Sequence, residues 1–343
     1  MKALILEEYN QFVYENVPMP KISPDDVLIE VKACGICGSD VHGMDGSSGR
    51  RIPPITMGHE ASGIIVKVGK NVKYFSQGDR VTFDSTVYCG TCRYCRKRLI
   101  NLCDNRQVMG VSCDEYRLNG ALAEYVAVPE RIVYPLPEEV SFEKAAMTEP
   151  LSIACHAVDR MPISAHDTAV IVGTGIIGLL VIQLLKNTDC GNIFAVDIEQ
   201  NKLDIAGKLG AKEGFRSDIH DVPAEIFKRT ENLGADIVFE AVGIAPTITI
   251  AVESVKKGGS ISLIGNVSST IDFPLQKVVT RQISAYGSCA SSGEYPACLD
   301  MIARNKVNVD ALISRVAPLS EGALWFERLK RQEAGLLKVI LVP

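Results

Sequence analysis

The sequence predicts an α/β protein of two domains, a β-rich domain and a doubly wound parallel sheet, and three observations lead to this class. Short runs that alternate apolar and polar residues fill the chain up to Glu149-Pro150. Beyond that point strand-like and helix-like runs alternate, and a glycine-rich turn follows the first of those strands. The length of 343 residues, 47% of them hydrophobic and 22% charged, allows two packed cores.

The β-rich region rests on three short runs. Residues 26–33 (DVLIEVKA) alternate apolar and polar side chains, as a half-buried strand does. Residues 62–68 (SGIIVKV) and 78–83 (GDRVTF) are rich in β-branched residues and are bounded by Gly, Pro or Asp. Together they predict a barrel or sandwich-like arrangement.

The region after Pro150 has the pattern of βαβ units. Its strand-like runs are residues 169–172, 193–196, 237–239 and 260–264, and its helix-like runs are residues 176–185, 202–209 and 247–255. This alternation predicts a parallel sheet and is typical of a nucleotide-binding domain. Residues 337–342 (LKVILV) predict one more strand, which could rejoin the first domain.

Charge and hydropathy exclude several function classes. The net charge of −5 argues against a nucleic-acid partner, and no window approaches the ~20 apolar residues of a membrane helix. Acidic residues follow four apolar ones at the N-terminus, which is too soon for a signal peptide. We therefore expect a cytoplasmic protein with a small-molecule partner. In that reducing compartment, clusters among the eleven cysteines indicate metal binding or catalysis rather than disulfides.

A glycine-rich turn predicts dinucleotide binding. Gly173, Gly175 and Gly178 stand in a G-x-G-x-x-G pattern between a strand and an apolar helix. The first allows the tight turn, the second lets a pyrophosphate approach the backbone, and the third lets helix and strand pack closely. Asp197 ends the next strand, where a carboxylate binds ribose hydroxyls and repels a 2′-phosphate. The pattern favours NAD over NADP; a simple strand cap is the alternative for Asp197.

Four cysteines predict a closed metal site. Cys89, Cys92, Cys95 and Cys103 have the spacing C-x2-C-x2-C-x7-C, which lets four thiolates surround one tetrahedral zinc ion. Such a sphere leaves no position for a substrate. We therefore interpret this site as structural, in preference to a redox cluster.

A second, sparser set of metal ligands is spread along the first domain. It comprises Cys37 in GICGSDVH, His59 and Glu60 in GHE, and Glu149 at the predicted domain boundary, where a cleft would form. Cys34 and Cys37 alone could form a thioredoxin-type pair, but the setting for one is missing. With a dinucleotide domain present, the set favours an open zinc site with one position for substrate.

The motifs GICGSDVH, GHE, the four-cysteine loop, TEPLS and GTGIIG, in this order, resemble the zinc-dependent medium-chain alcohol dehydrogenase family over essentially the whole chain. The resemblance implies a GroES-like catalytic domain of residues 1–151 and 293–343. It also implies an inserted Rossmann domain, residues 152–292. Two zinc ions per subunit, one catalytic and one structural, and hydride transfer to NAD are expected.

The resemblance also assigns the ligands of the catalytic zinc. Its cysteine falls on Cys37 and its histidine on His59, which Glu60 follows. The third large ligand is a cysteine in typical members, and that position is Glu149 here. This departure resembles the sorbitol, threonine and galactitol-1-phosphate dehydrogenases. Either glutamate could face the metal, directly or through water, so we keep both as candidates.

Further residues follow from the same resemblance. Ser39 and His42 match the proton-relay positions, and Lys202 matches a second ribose-binding position. The cofactor set is completed by Ile177, Val242 and Ile264.

The resemblance implies oxidation of a secondary alcohol of a polyol or sugar alcohol with NAD⁺, because members with a glutamate at the third ligand position and a polar loop act on such substrates. The alternatives are a phosphorylated polyol or L-threonine as substrate, and a non-enzymatic NAD-binding protein. Arg50 and Arg51 could bind a substrate phosphate, although solvated surface charge is the favoured interpretation. We also expect a homodimer or homotetramer, with an edge strand within residues 277–288.

Overall fold

A computed structural model describes all 343 residues, and the chain divides into two compact units. The first unit consists of Met1–Ser152 together with Ser291–Pro343, and the second is the continuous segment Ile153–Ala290. The predicted α/β class is confirmed, because one unit is dominated by antiparallel sheets and the other by a parallel sheet with helices. None of the helices has both the length and the apolar character needed to span a membrane.

The strands follow one another along the chain as β1 (Lys2–Glu8), β2 (Gln11–Asn16), β3 (Asp26–Gly35), β4 (Ile55–Thr56), β5 (Glu60–Val68), β6 (Arg80–Phe83), β7 (Thr86–Val87), β8 (Gln107–Val108), β9 (Val111–Ser112), β10 (Arg117–Leu118), β11 (Tyr125–Pro129), β12 (Val133–Pro135), β13 (Thr168–Val172), β14 (Asn192–Asp197), β15 (Glu213–Arg216), β16 (Ala235–Glu240), β17 (Val255–Leu263), β18 (Ser284–Gly287), β19 (Ile313–Pro318) and β20 (Lys338–Val342).

The helices are α1 (Gly38–Gly43), α2 (Arg93–Arg96), α3 (Phe142–Ala146), α4 (Thr148–Asp159), α5 (Ile176–Lys186), α6 (Gln200–Leu209), α7 (Val222–Arg229), α8 (Ala245–Ser254), α9 (Leu275–Thr280), α10 (Tyr295–Ala303) and α11 (Gly322–Lys330). Side chains cap two of them. The hydroxyl of Ser141 accepts the N–H of Lys144 before α3, and the carboxylate of Asp221 accepts the N–H of Ala224 before α7.

The first unit is organised around β3. Its main sheet has the order β12-β6-β5-β3-β20-β19, and β11 also pairs with β3. β3 is antiparallel to β5, β11 and β20. Its alternating side chains Val27, Ile29 and Val31 are buried in one core with Phe83 and Trp325. The C-terminal strand β20 therefore joins the main sheet of the first unit beside β3.

The second unit holds one six-stranded sheet of order β15-β14-β13-β16-β17-β18, in which every neighbouring pair is parallel. All five residues of β13 are buried, as expected for a central strand covered on both faces. The order reverses direction between β13 and β16. Ligands of such sheets bind at the carboxyl ends of the strands near this reversal.

One expected boundary in the second unit is wrong. Val255 was expected to end a helix, but it begins β17 directly after α8. The edge strand expected within residues 277–288 is present as β18, and residues 277–280 before it belong to helix α9. In both places apolar and β-branched residues cross from one element to the next, and the periodicity of such a run does not mark the change.

Candidate metal centres and dinucleotide site

The ends of two paired strands bring Cys37, His59 and Glu60 together. Gly35, the last residue of β3, pairs with Glu60, the first residue of β5. Cys37 lies two residues beyond this pair on one strand, and His59 lies directly before it on the other. A side chain at position 35 would not fit, because a Cβ atom there would lie 2.2 Å from Oε2 of Glu60. The glycine thus allows the Glu60 carboxylate to occupy this place.

Cys37, His59 and Glu60 form a group whose ligand atoms all lie within 4.8 Å of one another. Sulfur, imidazole nitrogen and carboxylate oxygen are the donors that zinc accepts. Nδ1 of His59 is buried without a hydrogen bond and lies 3.6 Å from Oδ1 of Asp40. A carboxylate behind a histidine in this way favours a proton on Nδ1 and leaves Nε2 for a metal. The residues present therefore fit a zinc ion.

The electrostatics of the group also suit a cation. Burial raises the pKa of the Cys37 thiol to about 11, and the charge of Glu60 adds to the effect. Burial also raises the pKa of Glu149 to about 8; Glu60 and Cys37 contribute in the same direction, while His59 opposes them. Several buried groups that can each carry a negative charge thus disfavour one another's ionisation. A bound divalent cation reverses that balance.

The two candidate glutamates have different surroundings. Glu60 is 1% exposed, and Nζ of Lys338 donates to its two carboxylate oxygens at 2.6 and 2.8 Å. Glu149, on α4, lies outside the three-residue group, and its Oε1 accepts the hydroxyl of Ser85 at 3.0 Å. The charge of Glu60 is therefore balanced by the ammonium group of Lys338, whereas the hydrogen-bond partner of Glu149 is an uncharged hydroxyl.

Sequence reasoning missed Lys338, although a signal for it exists. This lysine is the single charged residue of the apolar strand β20, and it is 2% exposed. β20 pairs with β3 through Ile340 and Gly35, which places Lys338 beside the end of β3, where its Nζ also donates to the carbonyl of Ile36 at 3.0 Å. A lysine inside an apolar strand requires a buried acceptor, and Glu60 supplies it.

The favoured interpretation of Arg51 as solvated surface charge is wrong. Arg51 is 4% exposed and binds the fully buried Asp40, with Nη2 at 2.7 Å and Nε at 3.0 Å from Oδ1. Asp40 was not among the candidates either. Arg50 is exposed, and Nη2 of its guanidinium donates to the hydroxyl of Tyr116 at 3.5 Å. A sequence with two adjacent arginines does not reveal which of them turns inward.

The two proposed relay residues lie on α1. Ser39 is exposed, and its hydroxyl lies 3.3 Å from Sγ of Cys37. His42 is also exposed and follows three residues later, on the same side of the helix. Ser39 is thus next to the metal-ligand group, and His42 faces solvent.

The four-cysteine loop brings its sulfur atoms together. The ligand atoms of Cys89, Cys92, Cys95 and Cys103 lie within 4.8 Å of one another. Three of the Sγ–Sγ separations are 3.5, 3.9 and 4.0 Å. Four thiolates at about 2.3 Å from a tetrahedral zinc ion would be about 3.8 Å apart, so the geometry fits.

Hydrogen bonds prepare part of this cluster for ionisation. The pKa of Cys89 is lowered to about 5, mainly by hydrogen bonds from Thr91 and further by the N–H of Cys92. The pKa of Cys95 is raised to about 12 by burial and by the other thiols. Four adjacent thiols do not all ionise unless a cation holds them.

The glycine-rich turn lies at the carboxyl end of β13. Gly173 has φ +93°, and a Cβ atom there would lie 2.4 Å from Cγ2 of Val242. Gly175 is the N-cap of α5, whose first turn contains Ile177, and a Cβ at Gly178 would lie 1.9 Å from the carbonyl oxygen of Gly173. The first and third glycines are therefore required by close contacts, and the free N–H groups of the helix start remain for an anion.

The remaining cofactor candidates lie at the ends of neighbouring strands. Asp197 ends β14, and Val242 and Ile264 follow β16 and β17. Oδ2 of Asp197 accepts both the N–H and the hydroxyl of Thr174, at 2.8 and 2.9 Å. Lys202 is close by on α6 and pairs with Glu199 at 2.5 Å. Thr174 was not predicted, because the pattern G-x-G-x-x-G leaves its position open.

Comparisons with known proteins agree with this arrangement. Residues 23–138 match the family description "Alcohol dehydrogenase GroES-like domain", and residues 177–304 match "Zinc-binding dehydrogenase". The D-arabitol-phosphate dehydrogenase of Enterococcus avium is 32% identical, over 97% of this chain and 94% of the relative. The sorbitol dehydrogenase of Bacillus subtilis is 31% identical, over 100% and 97%.

A solved structure has the same fold. A chain from Sinorhizobium meliloti, described as a zinc-binding dehydrogenase and bound to NADP, superposes with a TM-score of 0.91 at 30% identity. The match covers 100% of this chain and 99% of the other. The likeness extends over both units.

Proposed function

Because the chain belongs to the zinc-dependent medium-chain alcohol dehydrogenase family, we propose that it oxidises a secondary alcohol of a polyol or sugar alcohol, with NAD⁺ as the hydride acceptor. The observation that carries this proposal is the convergence of Cys37, His59 and Glu60 within 4.8 Å. Similarity to polyol and polyol-phosphate dehydrogenases supports the substrate class. A glutamate at position 149, where a cysteine is typical, supports it further.

The metal would be held by Cys37 and His59, with Glu60 or Glu149 as the third large ligand. A bound zinc ion acts as a Lewis acid that makes the substrate hydroxyl more acidic. In the proposed relay, the Ser39 hydroxyl accepts the substrate proton and passes it to His42, which exchanges it with solvent. The exposure of His42 supports its place at the end of this relay. Cys89, Cys92, Cys95 and Cys103 would close a separate structural zinc site.

The preference for NAD rests on Asp197. Its carboxylate is fixed by hydrogen bonds from Thr174, Ile198 and Glu199, so it cannot easily turn away from a 2′-phosphate. Gly173, Gly175 and Gly178, with Ile177, Val242, Ile264 and Lys202, complete the proposed site. A structural relative contains NADP, so the test must compare both cofactors.

The proposal is tested by following reduction of NAD⁺ and NADP⁺ at 340 nm with hexitols, pentitols, their phosphates and L-threonine, while zinc per chain is measured. We expect turnover with one polyol and NAD⁺, and two zinc ions. Cys37→Ser should lose turnover and retain one zinc ion. Cys113→Ser, which lies outside both proposed zinc sites, should retain turnover and both zinc ions. Equal turnover by Cys37→Ser would contradict the catalytic assignment, and a preference for NADP⁺ would contradict the role of Asp197.

A phosphorylated polyol is the second candidate substrate. It is favoured by the relative that acts on D-arabitol phosphate, which covers almost the whole chain. The same substrate panel decides between the candidates, because it offers each pentitol and hexitol with and without its phosphate.

We also propose a homodimer or homotetramer. β18 is an edge strand of the second unit's sheet, and a strand edge offers unpaired backbone groups to a second copy. A monomeric mass by light scattering at micromolar concentration would contradict this.

A further inference from the structure

Arg51 is a buried arginine that connects two residues beside the proposed zinc centre. Its Nε and Nη2 donate to Oδ1 of Asp40, and Nη2 also lies 3.4 Å from the hydroxyl oxygen of Ser39. Nη1 donates to the carbonyl of Arg50 at 2.9 Å. All three nitrogen atoms of the guanidinium therefore have hydrogen-bond partners within the protein.

Both bonds to Asp40 fall on the oxygen that faces the zinc histidine. Oδ1 of Asp40 lies 3.6 Å from Nδ1 of His59, whereas Oδ2 is buried without a partner. Oδ1 thus has Arg51 on one side and His59 on the other. Because two hydrogen bonds from one planar group converge on one atom, they fix where that oxygen stands relative to the imidazole.

Arg51 also contacts Ser39, which lies beside Cys37 in the metal-ligand group. The hydroxyl of Ser39 lies 3.3 Å from Sγ of Cys37 and 3.4 Å from Nη2 of Arg51. If the Ser39 oxygen accepts from the guanidinium, its own proton is directed to the sulfur. One arginine therefore reaches the neighbours of both Cys37 and His59.

We propose that Arg51 is a positioning residue for the zinc centre, which orients His59 through Asp40 and Cys37 through Ser39. This inference rests on the proposed function, since it requires that Cys37 and His59 hold a metal. It also removes Arg51 from the candidates for substrate phosphate, because the buried guanidinium is already bound. Partners of this kind change metal affinity by about 10- to 100-fold when they are replaced.

The test measures zinc affinity of the full chain by competition with a chromophoric chelator, without substrate or cofactor. We expect Arg51→Lys, which keeps the charge but not the planar fork, to bind the zinc at Cys37 and His59 about 10-fold less tightly, and Arg51→Met about 100-fold less tightly. The adjacent exposed Arg50→Met is the matched control and should remain within about twofold of the parent.

A spectroscopic readout separates positioning from general damage to the fold. In chains loaded with Co²⁺ at this site, we expect Arg51→Lys to shift the visible absorption bands, since these bands report ligand geometry, while Arg50→Met leaves them unchanged. The four-cysteine zinc should remain bound in every variant.

A double-mutant cycle tests whether Arg51 acts through Asp40. If it does, replacing Arg51 in an Asp40→Asn chain should weaken zinc binding far less than in the parent, since the pair is already broken. The double variant Arg51→Met with Asp40→Asn buries no unpaired charge, so it remains measurable even if Arg51→Met alone does not fold. In that case the cycle is measured with Arg51→Lys in both the parent and the Asp40→Asn chain.

The outcomes distinguish this inference from the proposed function. A parent chain that binds only the four-cysteine zinc contradicts both. A parent with two zinc ions whose affinity and Co²⁺ bands are unchanged in Arg51→Lys and Arg51→Met contradicts the inference alone. The inference would also be overturned if the Arg51 substitution weakened zinc binding equally in the parent and in the Asp40→Asn chain.

Discussion

Two ion pairs lie almost entirely inside the first unit. Asp40 with Arg51 and Glu60 with Lys338 are each at most 4% exposed. Removing four charged groups from water costs several kcal/mol per ion, and the attraction within each pair offsets this only when the geometry is good. Both pairs border the same metal-ligand group. This position supports the proposal that the two pairs orient the candidate metal ligands, since apolar residues would fill the same space with less desolvation.

Replacing Lys338 should destabilise the first unit strongly. Lys338→Met leaves the Glu60 carboxylate buried without a cation, and breaking such a pair costs about 3–5 kcal/mol. Urea denaturation of the metal-free chain measures this. Lys330→Met, which removes an exposed lysine near Asp45, should change the free energy of unfolding by about 0.5 kcal/mol or less.

The second substitution Glu60→Gln should recover most of the loss, because the lone charge is then gone. A Lys338→Met chain as stable as the parent would show that Glu60 is neutral or hydrated in the folded protein.

Asp84 should give the stability a pH dependence of its own. Burial raises its pKa from 3.8 to about 6, so between these values the folded chain binds more protons than the unfolded chain. Stability therefore falls as pH rises from about 4 to about 6, by about 3 kcal/mol for this group. Asp84→Asn, which keeps an acceptor for the N–H of Thr86, should lack this fall.

Urea denaturation at four pH values between 4 and 7 measures the difference between the two chains. The exposed Asp114→Asn serves as the reference substitution. A difference between parent and Asp84→Asn that is constant with pH would contradict the raised pKa.

At the scale of elements, we expect the four-cysteine loop to depend on the proposed structural zinc. α2 has no buried residue, so packing contributes little to its stability. When zinc is removed by a chelator or by Cys95→Ser, we expect trypsin to cut at Arg96, Lys97 and Arg98 at least about 10-fold faster, because a metal-held loop loses its fold with the ion. Mass spectrometry of the fragments measures the rate.

The control is Cys190→Ser, which changes a cysteine of the second unit outside both metal clusters. It should leave the cutting rate unchanged. If the zinc-free loop resists trypsin, its backbone hydrogen bonds are sufficient to keep the loop folded without the metal, and the prediction is contradicted.

Patterns with a local physical cause were readable in the sequence. The spacing of the four cysteines and the glycines of the turn are such patterns, as is the alternation of residues 26–33, which lie in β3. Asp40 and Arg51 were not readable, because nothing in the sequence shows that these two residues, 11 positions apart, turn inward as a pair. Lys338 gave a signal as the single charged residue of an apolar strand, but its partner Glu60 lies 278 residues away along the chain. Only the pairing of β3 with β5 and β20 makes Lys338 and Glu60 neighbours.

For the whole molecule, the division into units predicts where the cofactor acts. All proposed dinucleotide-binding residues lie in Ile153–Ala290. At a concentration of NAD⁺ about 100-fold above its Kd, binding should stabilise the segment by about 2.7 kcal/mol. Hydrogen exchange should therefore slow in β13, β14 and β16, as measured by mass spectrometry.

Asp197→Ala should reduce this protection at the same NAD⁺ concentration, because the ribose loses its acceptor. Protection that appears only in Met1–Ser152 would contradict the assignment of the cofactor site.

The place of β20 sets an order of events during synthesis on the ribosome. Glu60 and Lys338 are 278 residues apart, and at about 5–20 residues per second the lysine is added roughly 14 to 56 s after the glutamate. The second unit is continuous and can complete its sheet within that interval. The nascent first unit, in contrast, lacks the strand that pairs with Cys34 and Gly35 of β3, and it buries Glu60 without its lysine, until β20 arrives. The end of β3 that lies beside the proposed zinc site is therefore completed last.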